Sequence, residues 1–371
     1  MSRARVYIAG FQTSPEASEA ARISDIHTEC IRPHSAERVS VTQARGRDGM
    51  AKTVLVTGGA GFIGSHVADT FLAEGWDVTI LDDLSSGREE NLPPSAHFVR
   101  GDITTPDAAA LVRDGRFDVM CHLAAQIDVR RSVLDPVYDA TRNILGTLNL
   151  LEAVKSSGHH TRVVFSSTGG ALYGDFDPPP STELYAKDPE APYGIAKLSV
   201  EYYLAYYGRV HGLDTVALRY GNVYGPRQDP HGEAGVVAIF CNRILDGRVL
   251  TVFGDGEQTR DYVYAGDVAL ANYRAATGTL PAPGRLDARA FNIGTSIETS
   301  VNTLATTLQS VANVTAAIDY APARAGELAR SALQTDKART VLGWTPSVLL
   351  ADGLTNTFRY FAGRRSGAVT R

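Results

Sequence analysis

The sequence predicts an α/β protein in which a doubly wound parallel sheet is followed by a smaller α/β C-terminal domain. Three observations favour this class. Short β-branched runs alternate with longer helical stretches through the first half of the chain, as a parallel sheet requires. A glycine-rich turn directly follows the first of these runs, at residues 58–64. The second half contains a helix start near residue 233 and a strand pattern at residues 291–294 that feeds the smaller domain.

The composition is that of a soluble globular protein and excludes several other classes. The 371 residues can bury a large core and predict one or two domains. A formal net charge of −5, with no dense Lys/Arg block, argues against nucleic acid as a partner. No apolar run approaches the roughly 18 residues of a membrane span. Cys30, Cys121 and Cys241 are too few and too scattered for disulfides or a zinc site, so we expect no metal and a reducing, cytoplasmic location.

The first 49 residues differ from the rest of the chain. They contain 7 Arg, 6 acidic residues and no Lys, without sustained hydrophobic periodicity. They lack the apolar core of a secretory signal, and a transit peptide would be poorer in acidic residues. We therefore expect residues 1–49 to be a disordered extension. Met50 precedes the first strand closely, as the start of a compact cytoplasmic enzyme would.

The first strand and the turn after it predict a dinucleotide site. Residues 53–57 form a β-branched run suited to a strand buried on both faces. The turn satisfies G-x-G-x-x-G and precedes a helical stretch over residues 65–74. Glycines there permit a tight turn and let backbone N–H groups approach a pyrophosphate at the helix N-terminus, as in a Rossmann-like fold. The loop residues assigned to the cofactor are Gly58, Gly61, Phe62, Ile63 and Gly64.

The second strand, residues 77–81, ends at two acidic residues that indicate which dinucleotide binds. Asp82 lies 18 residues beyond Gly64, where its carboxylate can accept hydrogen bonds from the adenosine ribose hydroxyls. Asp83 follows it directly. Because a carboxylate at this place would repel a 2′-phosphate, the sequence favours NAD over NADP.

Three more strands bring further residues to the same edge. Residues 96–100, 117–123 and 161–165 have strand patterns, and residues 135–157 form a long helical segment. Because ligands of doubly wound sheets sit beyond the C-terminal strand ends, the residues after these strands are cofactor candidates. The candidates are Asp102, which can reach the adenine edge, Ile103, Ala124, Ala125, Gln126 and, within the helical segment, Asn143.

A reactive pair follows the fifth strand. Tyr193 and Lys197 are four residues apart in a predicted helix, so they lie on one face, one turn apart. Tyrosine, with a pKa near ~10, is a poor base at neutral pH, but a cation one turn away stabilises the phenolate and lowers that pKa. The pair can therefore act as an acid/base on a sugar or alcohol hydroxyl. Ser167 and Thr168 place hydroxyl groups at the end of strand five.

The order of glycine turn, acidic ribose reader, strand-end Ser/Thr and Tyr-x-x-x-Lys resembles the extended short-chain dehydrogenase/reductase family of nucleotide-sugar enzymes. The resemblance implies that Thr168 holds the substrate hydroxyl, Tyr193 is the general base and acid, and Lys197 binds the nicotinamide ribose and tunes Tyr193. The loop after strand five is one residue longer than the commonest family pattern, so Ser167 is an alternative to Thr168. A purely structural alternative is that both hydroxyls cap their own loop.

The second half contains segments similar to the substrate-binding parts of the same family. The resemblance implies that Asn222 contacts the sugar nucleotide and that Arg260 binds its diphosphate. Arginine suits that task because its planar fork pairs with two phosphate oxygens. Late in the chain, the resemblance assigns Arg324 to the diphosphate and Glu327 to the uridine ribose.

The resemblance covers about residues 53–361 and divides the chain into two domains. Residues 50–225 are expected to form the NAD-binding domain, to which later segments can return, and residues 226–365 mainly the nucleotide-sugar-binding domain. The resemblance is closest to the UDP-glucose 4-epimerase branch, in its shorter bacterial and archaeal form. It implies a redox-neutral, NAD-dependent 4-epimerisation of a UDP-hexose. Hydride leaves C4, the 4-keto sugar turns over within the pocket, and the hydride returns.

Three other kinds of function compete with 4-epimerisation of a UDP-hexose: elimination or decarboxylation, uronic acid epimerisation and a non-enzymatic role. Dehydratases and decarboxylases of the family share the first oxidation but carry an acidic residue just after the strand-end Thr, where this chain has Gly169 and Gly170. Without that carboxylate, elimination lacks its proton donor. A UDP-uronic acid 4-epimerase stays open because the sequence does not show which side chains face C6. A non-enzymatic NAD-binding scaffold is disfavoured because such chains usually lose Tyr193 or Lys197.

Substrate width and assembly are further expectations from the resemblance. Ser331 stands near the place where a bulky residue narrows the pocket against a C2 N-acetyl group, so this small residue leaves room for UDP-N-acetyl sugars. The helices at residues 135–157 and 193–211 are those that pair in the homodimers of the family, although their surfaces could also pack inside one protomer. The second helix carries Tyr202, Tyr203, Tyr206 and Tyr207, more aromatic surface than one core-facing stripe requires.

Overall fold

The computed structural model describes residues 52–174, 178–230, 235–324 and 328–367. The expectations for residues 1–49, for the helix start at residue 233 and for Glu327 lie outside these ranges.

The strands and α-helices of the described residues follow one another in regular alternation through the first half of the chain. The strands are β1 Thr53–Thr57, β2 Asp77–Asp82, β3 His97–Arg100, β4 Val119–His122, β5 Arg162–Thr168, β6 Asp214–Tyr220, β7 Asn222–Tyr224, β8 Leu250–Phe253, β9 Thr259–Arg260, β10 Tyr262–Tyr264, β11 Ala290–Ile293, β12 Thr299–Ser300 and β13 Ile318–Ala321. The helices are α1 Phe62–Ala73, α2 Pro106–Gly115, α3 Val129–Leu134, α4 Pro136–Ala140, α5 Gly146–Ser157, α6 Pro192–His211, α7 Val236–Leu245, α8 Ala265–Thr277, α9 Val301–Ala312 and α10 Leu350–Arg365.

Seven strands form one parallel sheet in the order β11–β6–β5–β4–β1–β2–β3, which confirms the predicted fold class. Helices cover both faces because the strands are apolar on both sides. Val54 and Val56 of β1 pack with Phe71 of α1, whereas Leu55 packs on the opposite face with Leu151 of α5. The strand order reverses between β1 and β4, so the carboxyl ends of these two strands mark the ligand-binding crevice expected of such sheets.

Several boundaries differ from the predictions. α1 begins at Phe62 because the glycine turn already provides its N-cap, Gly61. β5 continues to Thr168 because its last three residues pair with β6. The segment predicted as one helix over residues 135–157 is interrupted by a π-helical turn, Thr141–Leu145, which separates α4 from α5. Such turns often accompany functional sites.

The strand predicted at residues 291–294 is present as β11, but it belongs to the main sheet rather than to the smaller domain. It pairs with β6 because Ala290, Phe291 and Ile293 are apolar and fully buried there. The chain enters the smaller apolar cluster before this strand and returns to it afterwards. That cluster joins α7, α9 and α10 with β8.

None of the helices in the described ranges combines the length and the apolar character needed to cross a membrane.

Candidate active site

The glycine turn between β1 and α1 requires glycine at two positions. Gly58 has a φ of +72°, a conformation that L side chains rarely adopt. A Cβ at Gly64 would lie 2.1 Å from the Gly58 carbonyl oxygen. The N-cap of α1 is Gly61, which has no side chain to cap the helix. The backbone N–H groups of the first turn of α1 can therefore bind an anion.

A cavity of about 250 Å³ lies next to this turn, at the C-terminal edge of the main sheet. Most of the predicted cofactor residues line it together with the reactive pair. The predicted residues among its lining are Gly58, Gly61, Phe62, Ile63, Gly64, Asp82, Asp83, Asp102, Ile103, Ala124, Ala125, Gln126, Ser167, Tyr193 and Lys197. The sequence motifs therefore converge on one cavity, while the role of each residue stays a prediction.

Asp82 is held in place by the glycine turn itself. Its carboxylate accepts hydrogen bonds from the backbone N–H groups of Ala60 at 3.0 Å and Leu84 at 2.8 Å. Burial raises the pKa of Asp82, and these two hydrogen bonds oppose the rise. The carboxylate at the end of β2 is thus oriented before any ribose hydroxyl binds.

Arg142 also lines the cavity, beside Asp83 and Asp102, although no sequence motif indicated it. Its guanidinium forms ion pairs with both carboxylates, at 3.2 Å to Asp83. Burial alone would raise the pKa of Asp102, but hydrogen bonds from Thr104 and Arg142 hold it below its usual value. The sequence contains little to indicate this role, because Arg142 lies 59 residues from Asp83 and 40 residues from Asp102 in the chain.

Asn143 lies behind the cavity wall and is not among the described residues that line it. Its side chain donates to the carbonyl of Gln126 at 2.9 Å and accepts from the backbone N–H of Gln126 at 2.8 Å. Because both backbone groups of Gln126 are held, Asn143 fixes the loop that follows β4. The structure therefore gives Asn143 a role in shaping the site.

Tyr193 and Lys197 lie in the first turns of α6, which begins with Pro192 at the position where proline is favoured. Lys197 is buried, and its Nζ donates to the Ser166 carbonyl oxygen at 2.8 Å. The same Nζ lies 5.8 Å from the centroid of the Tyr193 ring. The pair is thus assembled as the spacing predicted.

The expectation that Lys197 lowers the pKa of Tyr193 is wrong for these side chains. Burial raises the pKa of Tyr193, and the negative charge of Asp139 raises it further. Burial lowers the pKa of Lys197 to about 8, although the carboxylates of Asp139 and Glu201 limit that fall. The ammonium group faces the ring and a carbonyl, so it stabilises a phenolate less than the helix spacing suggested.

Ser167 lines the cavity but its hydroxyl is engaged within the protein, and Thr168 is not among the described residues that line the cavity. The Ser167 hydroxyl donates to Glu201 Oε1 at 2.5 Å, and both side chains are buried. Glu201 also binds Arg219, with 2.6 Å between Nη2 and Oε2. Thr168 is half-buried and follows on the opposite side of the strand. The proton of Ser167 is therefore committed to an internal network.

Asn222, Arg260 and Ser331 are not among the described residues that line the cavity, but contacts place Asn222 near the loop after β5 and Ser331 near Arg260. A Cβ at Gly170 would lie 3.6 Å from Asn222 Oδ1. The backbone N–H of Ser331 donates to the Thr259 carbonyl at 3.2 Å, beside Arg260. Asn222 therefore lies beside the loop after β5, and Ser331 lies next to the strand that carries Arg260.

The two predicted diphosphate arginines are engaged within the protein. Arg260 Nη1 donates to the carbonyl oxygens of Thr259 and Leu328, both at 2.8 Å. Arg324 is exposed, and its guanidinium stacks 3.9 Å above the centroid of the Phe253 ring. These contacts hold the two side chains at defined places.

The paired glycines after Thr168 differ in their surroundings. A Cβ at Gly169 would lie 2.4 Å from Leu333 Cδ1, whereas the corresponding atom at Gly170 meets nothing closer than 3.6 Å. A carboxylate could not be accommodated at Gly169 unless Leu333 moved. A larger side chain directly after Thr168 would therefore require the side chain of Leu333 to shift, whereas Gly170 has room for one.

Comparison with known proteins gives consistent matches over most of the chain. The model of the NAD dependent epimerase/dehydratase family matches residues 54–321. A UDP-glucose 4-epimerase of Mycolicibacterium smegmatis is 45% identical over 315 residues, which are 84% of this chain and 98% of the relative. A solved UDP-glucose 4-epimerase with UDP-glucose from Thermotoga maritima has 45% identity and a TM-score of 0.80, covering 84% of this chain and 99% of that one. A UDP-glucose 4-epimerase of Thermus thermophilus in complex with NAD has 42% identity and a TM-score of 0.77, covering 84% and 99%.

Proposed function

The chain belongs to the NAD-dependent epimerase/dehydratase family, and from this premise we propose that it interconverts UDP-glucose and UDP-galactose by 4-epimerisation. The observation that carries the proposal is the convergence of the glycine turn and the buried Tyr193–Lys197 pair on one cavity. A cofactor held by the turn and a sugar held at the pair would therefore meet. The relatives named above carry the same activity in their names.

The residues present fit NAD as the resident cofactor. The space between Gly58 and Gly64 would be filled by a single Cβ, as expected where backbone must approach a pyrophosphate. Asp82 and Asp83 supply carboxylates for the adenosine ribose and repel a 2′-phosphate. When bound, NAD accepts hydride from C4 and returns it to the opposite face, and its oxidised ring adds a positive charge near Tyr193.

Three side chains support the proton transfer at the sugar 4-hydroxyl. Thr168 orients the sugar 4-hydroxyl, and Tyr193 takes the proton from it and later returns it. Lys197 is kept at the pair by its hydrogen bond to the Ser166 carbonyl and donates to the nicotinamide ribose. Burial and the charge of Asp139 raise the pKa of Tyr193, and the positive charge of an oxidised nicotinamide would lower it, so that the phenolate can form once the cofactor is bound.

The remote part of the substrate supplies the binding energy while the hexose turns over. In the proposal, Arg260 and Arg324 bind the diphosphate, Asn222 contacts the sugar nucleotide, and Glu327 binds the uridine ribose. Such contacts let the reacting ring be released and rebound on its other face without loss of the nucleotide.

We also propose that two copies pair through α6 and the helical segment before it. Tyr202 and Val210 of α6 are 58% and 60% exposed, and Leu134 and Val137 of α3 and α4 are 85% and 75% exposed. Apolar surface of this extent on adjacent helices is typical of an interface. Tyr207 is buried instead, and its hydroxyl binds Glu152 within the protomer. Light scattering at micromolar protein would test the dimer.

The deciding experiment follows UDP-galactose by NMR with no added reductant. We expect UDP-glucose to accumulate to equilibrium with wild-type protein, and Tyr193→Phe to lower kcat at least ~10³-fold because the proton acceptor is gone. Tyr202→Phe removes a hydroxyl from the exposed side of the same helix and serves as control. UDP-glucuronic acid in a parallel reaction tests the uronic alternative. Inactivity of wild type on UDP-galactose would overturn the proposal.

The two described cysteines, Cys121 and Cys241, are buried and free, which supports the proposal that the enzyme works in the cytoplasm.

A further inference from the structure

Asp139 is a buried carboxylate for which the reaction proposed above has no use. It lies in α4 and is 1% exposed. Its Oδ1 accepts hydrogen bonds from Gln126 Nε2 at 2.9 Å and Asn143 Nδ2 at 3.0 Å. Its Oδ2 is buried and has no hydrogen-bond partner among the described residues. Buried polar atoms are nearly always paired, so this oxygen needs a physical reason.

The hydrogen bonds around Asp139 form a closed network in which the side-chain amides of Gln126 and Asn143 can each adopt only one orientation. Gln126 donates from Nε2 to Asp139 and to the Asp128 carbonyl, and accepts at Oε1 from the Asp128 N–H. Asn143 donates from Nδ2 to Asp139 and to the Gln126 carbonyl. Turning either amide would place oxygen against oxygen. Asp139 therefore fixes both amides, and with them the cavity-lining loop after β4.

The negative charge of Asp139 also acts on the reactive pair. α4 packs against α6, which carries Tyr193 and Lys197. After burial, Asp139 is the cause that raises the pKa of Tyr193, and it is the strongest of the charges that oppose the fall in the pKa of Lys197. Both effects have the same origin, because a nearby negative charge favours the protonated form of either group.

The other titratable groups around the pair are neutral or already paired. Glu201 on α6 is bound by the buried guanidinium of Arg219. Burial lowers the pKa of His122 on β4 to about 3, so its ring is neutral. Burial raises the pKa of Cys121 on β4 and of Tyr220 on β6, so both keep their protons. Asp139 is thus an acid near the pair that no described guanidinium binds. Burial raises the pKa of Asp139, and its hydrogen bonds and the charge of Lys197 oppose that rise.

We propose that Asp139 is a positioning residue for the epimerisation, one that orients Gln126 and Asn143 and places a buried negative charge against Tyr193 and Lys197. The inference rests on the proposed function. The charge keeps Lys197 protonated and makes the Tyr193 phenolate a stronger base. The fold does not need that charge, since an asparagine could accept the same two hydrogen bonds at its Oδ1.

The variant Asp139→Asn separates the charge from the hydrogen bonds. We expect both limbs of the pH profile of kcat/KM to move to lower pH by roughly one unit, because the pKa values of Tyr193 and Lys197 both fall. We expect the thermal unfolding midpoint not to fall. Asp135→Asn is the matched control: Asp135 is the exposed N-cap of the same helix, and asparagine caps equally well. Its profile should superimpose on that of wild type.

A second measurement does not depend on turnover. Tyrosinate absorbance is titrated in NAD-loaded protein, and the curve of the corresponding Tyr193→Phe variant is subtracted to isolate Tyr193. We expect its midpoint to fall in Asp139→Asn. The inference would be overturned if Asp139→Asn were active but kept both the wild-type pH profile of kcat/KM and the wild-type titration midpoint of Tyr193. Failure of Asp139→Asn to fold would also overturn it. An inactive wild type would overturn the proposed function alone, because the titration would still decide the role of Asp139.

Discussion

The cofactor side of the site and the sugar-nucleotide side are built in different ways. On the cofactor side, fifteen predicted residues line one cavity, and Asp82 is already oriented by backbone N–H groups. On the sugar-nucleotide side, Asn222, Arg260 and Arg324 come from separate segments and are not among the described residues of that cavity lining. Local motifs organise the cofactor side, whereas the sugar-nucleotide side depends on contacts between distant segments. Substitutions on the two sides should therefore have different effects: loss of bound NAD on the first, and a higher KM for the substrate on the second.

The sharpest test of the cofactor side is Gly64→Ala. Its Cβ would lie 2.1 Å from the Gly58 carbonyl oxygen, so we expect a loss of about 3 kcal/mol in unfolding free energy and loss of bound NAD. Denaturant unfolding and the NAD content of purified protein measure the two effects. Gly75→Ala is the control, since its φ of +77° makes alanine strained there too, but Gly75 is not among the described residues that line the cavity. Equal NAD content in both variants would mean that the turn is not a cofactor site.

The sugar-nucleotide side should lose affinity without losing cofactor. In Arg260→Lys, we expect KM for UDP-galactose to rise by about 10- to 100-fold with unchanged NAD content, because a point charge replaces a planar fork. Steady-state kinetics measure this. Arg330→Lys, at an exposed arginine paired with Glu298, is the control. Loss of NAD from Arg260→Lys would show that the two sides are not separable.

Acid should weaken the cofactor side through protonation of His122. This ring is buried between Thr57 and Thr147, with hydrogen bonds of 2.7 and 2.9 Å. Its folded pKa of about 3 lies below the usual value of 6.5, so the unfolded chain binds the proton more tightly. Stability from this group is complete above about pH 6.5 and is lost as pH falls, by about 2 kcal/mol at pH 5.

Denaturant unfolding at several pH values, with His122→Gln beside wild type, measures that contribution. The variant should show a smaller loss of unfolding free energy between pH 6.5 and 5. His160→Gln, which replaces an exposed histidine, should keep the wild-type slope. Parallel slopes in wild type and His122→Gln would contradict the prediction.

The smallest expected effect concerns substrate width on the sugar-nucleotide side. Ser331 is half-buried beside Arg260, and we predict that it leaves room for an N-acetyl group at C2. Ser331→Tyr should lower kcat/KM for UDP-N-acetylglucosamine about 10-fold relative to UDP-glucose. Steady-state rates on both UDP-sugars measure this selectivity, and Ser331→Ala, which keeps a small side chain at this position, is the control. The same selectivity in all three proteins would remove Ser331 as the determinant.

The cofactor side could be predicted from the sequence because its features are local. A glycine turn after a β-branched strand, an acid at the end of the next strand, and a tyrosine one helical turn from a lysine are each readable within a few residues. The parallel sheet follows from the alternation of these elements. Helix and strand periodicity place such residues at one edge without any knowledge of distant contacts.

Tertiary structure alone decided the electrostatics and the network behind the pair. The pKa of Tyr193 was predicted wrongly because burial and the charge of Asp139, 54 residues away in the chain, outweigh the neighbouring Lys197. The Ser167 hydroxyl is engaged by Glu201, 34 residues away in the chain, whose carboxylate accepts its hydrogen bond. Desolvation and hydrogen-bond partners depend on which distant segments pack together, and no spacing within a motif contains that information.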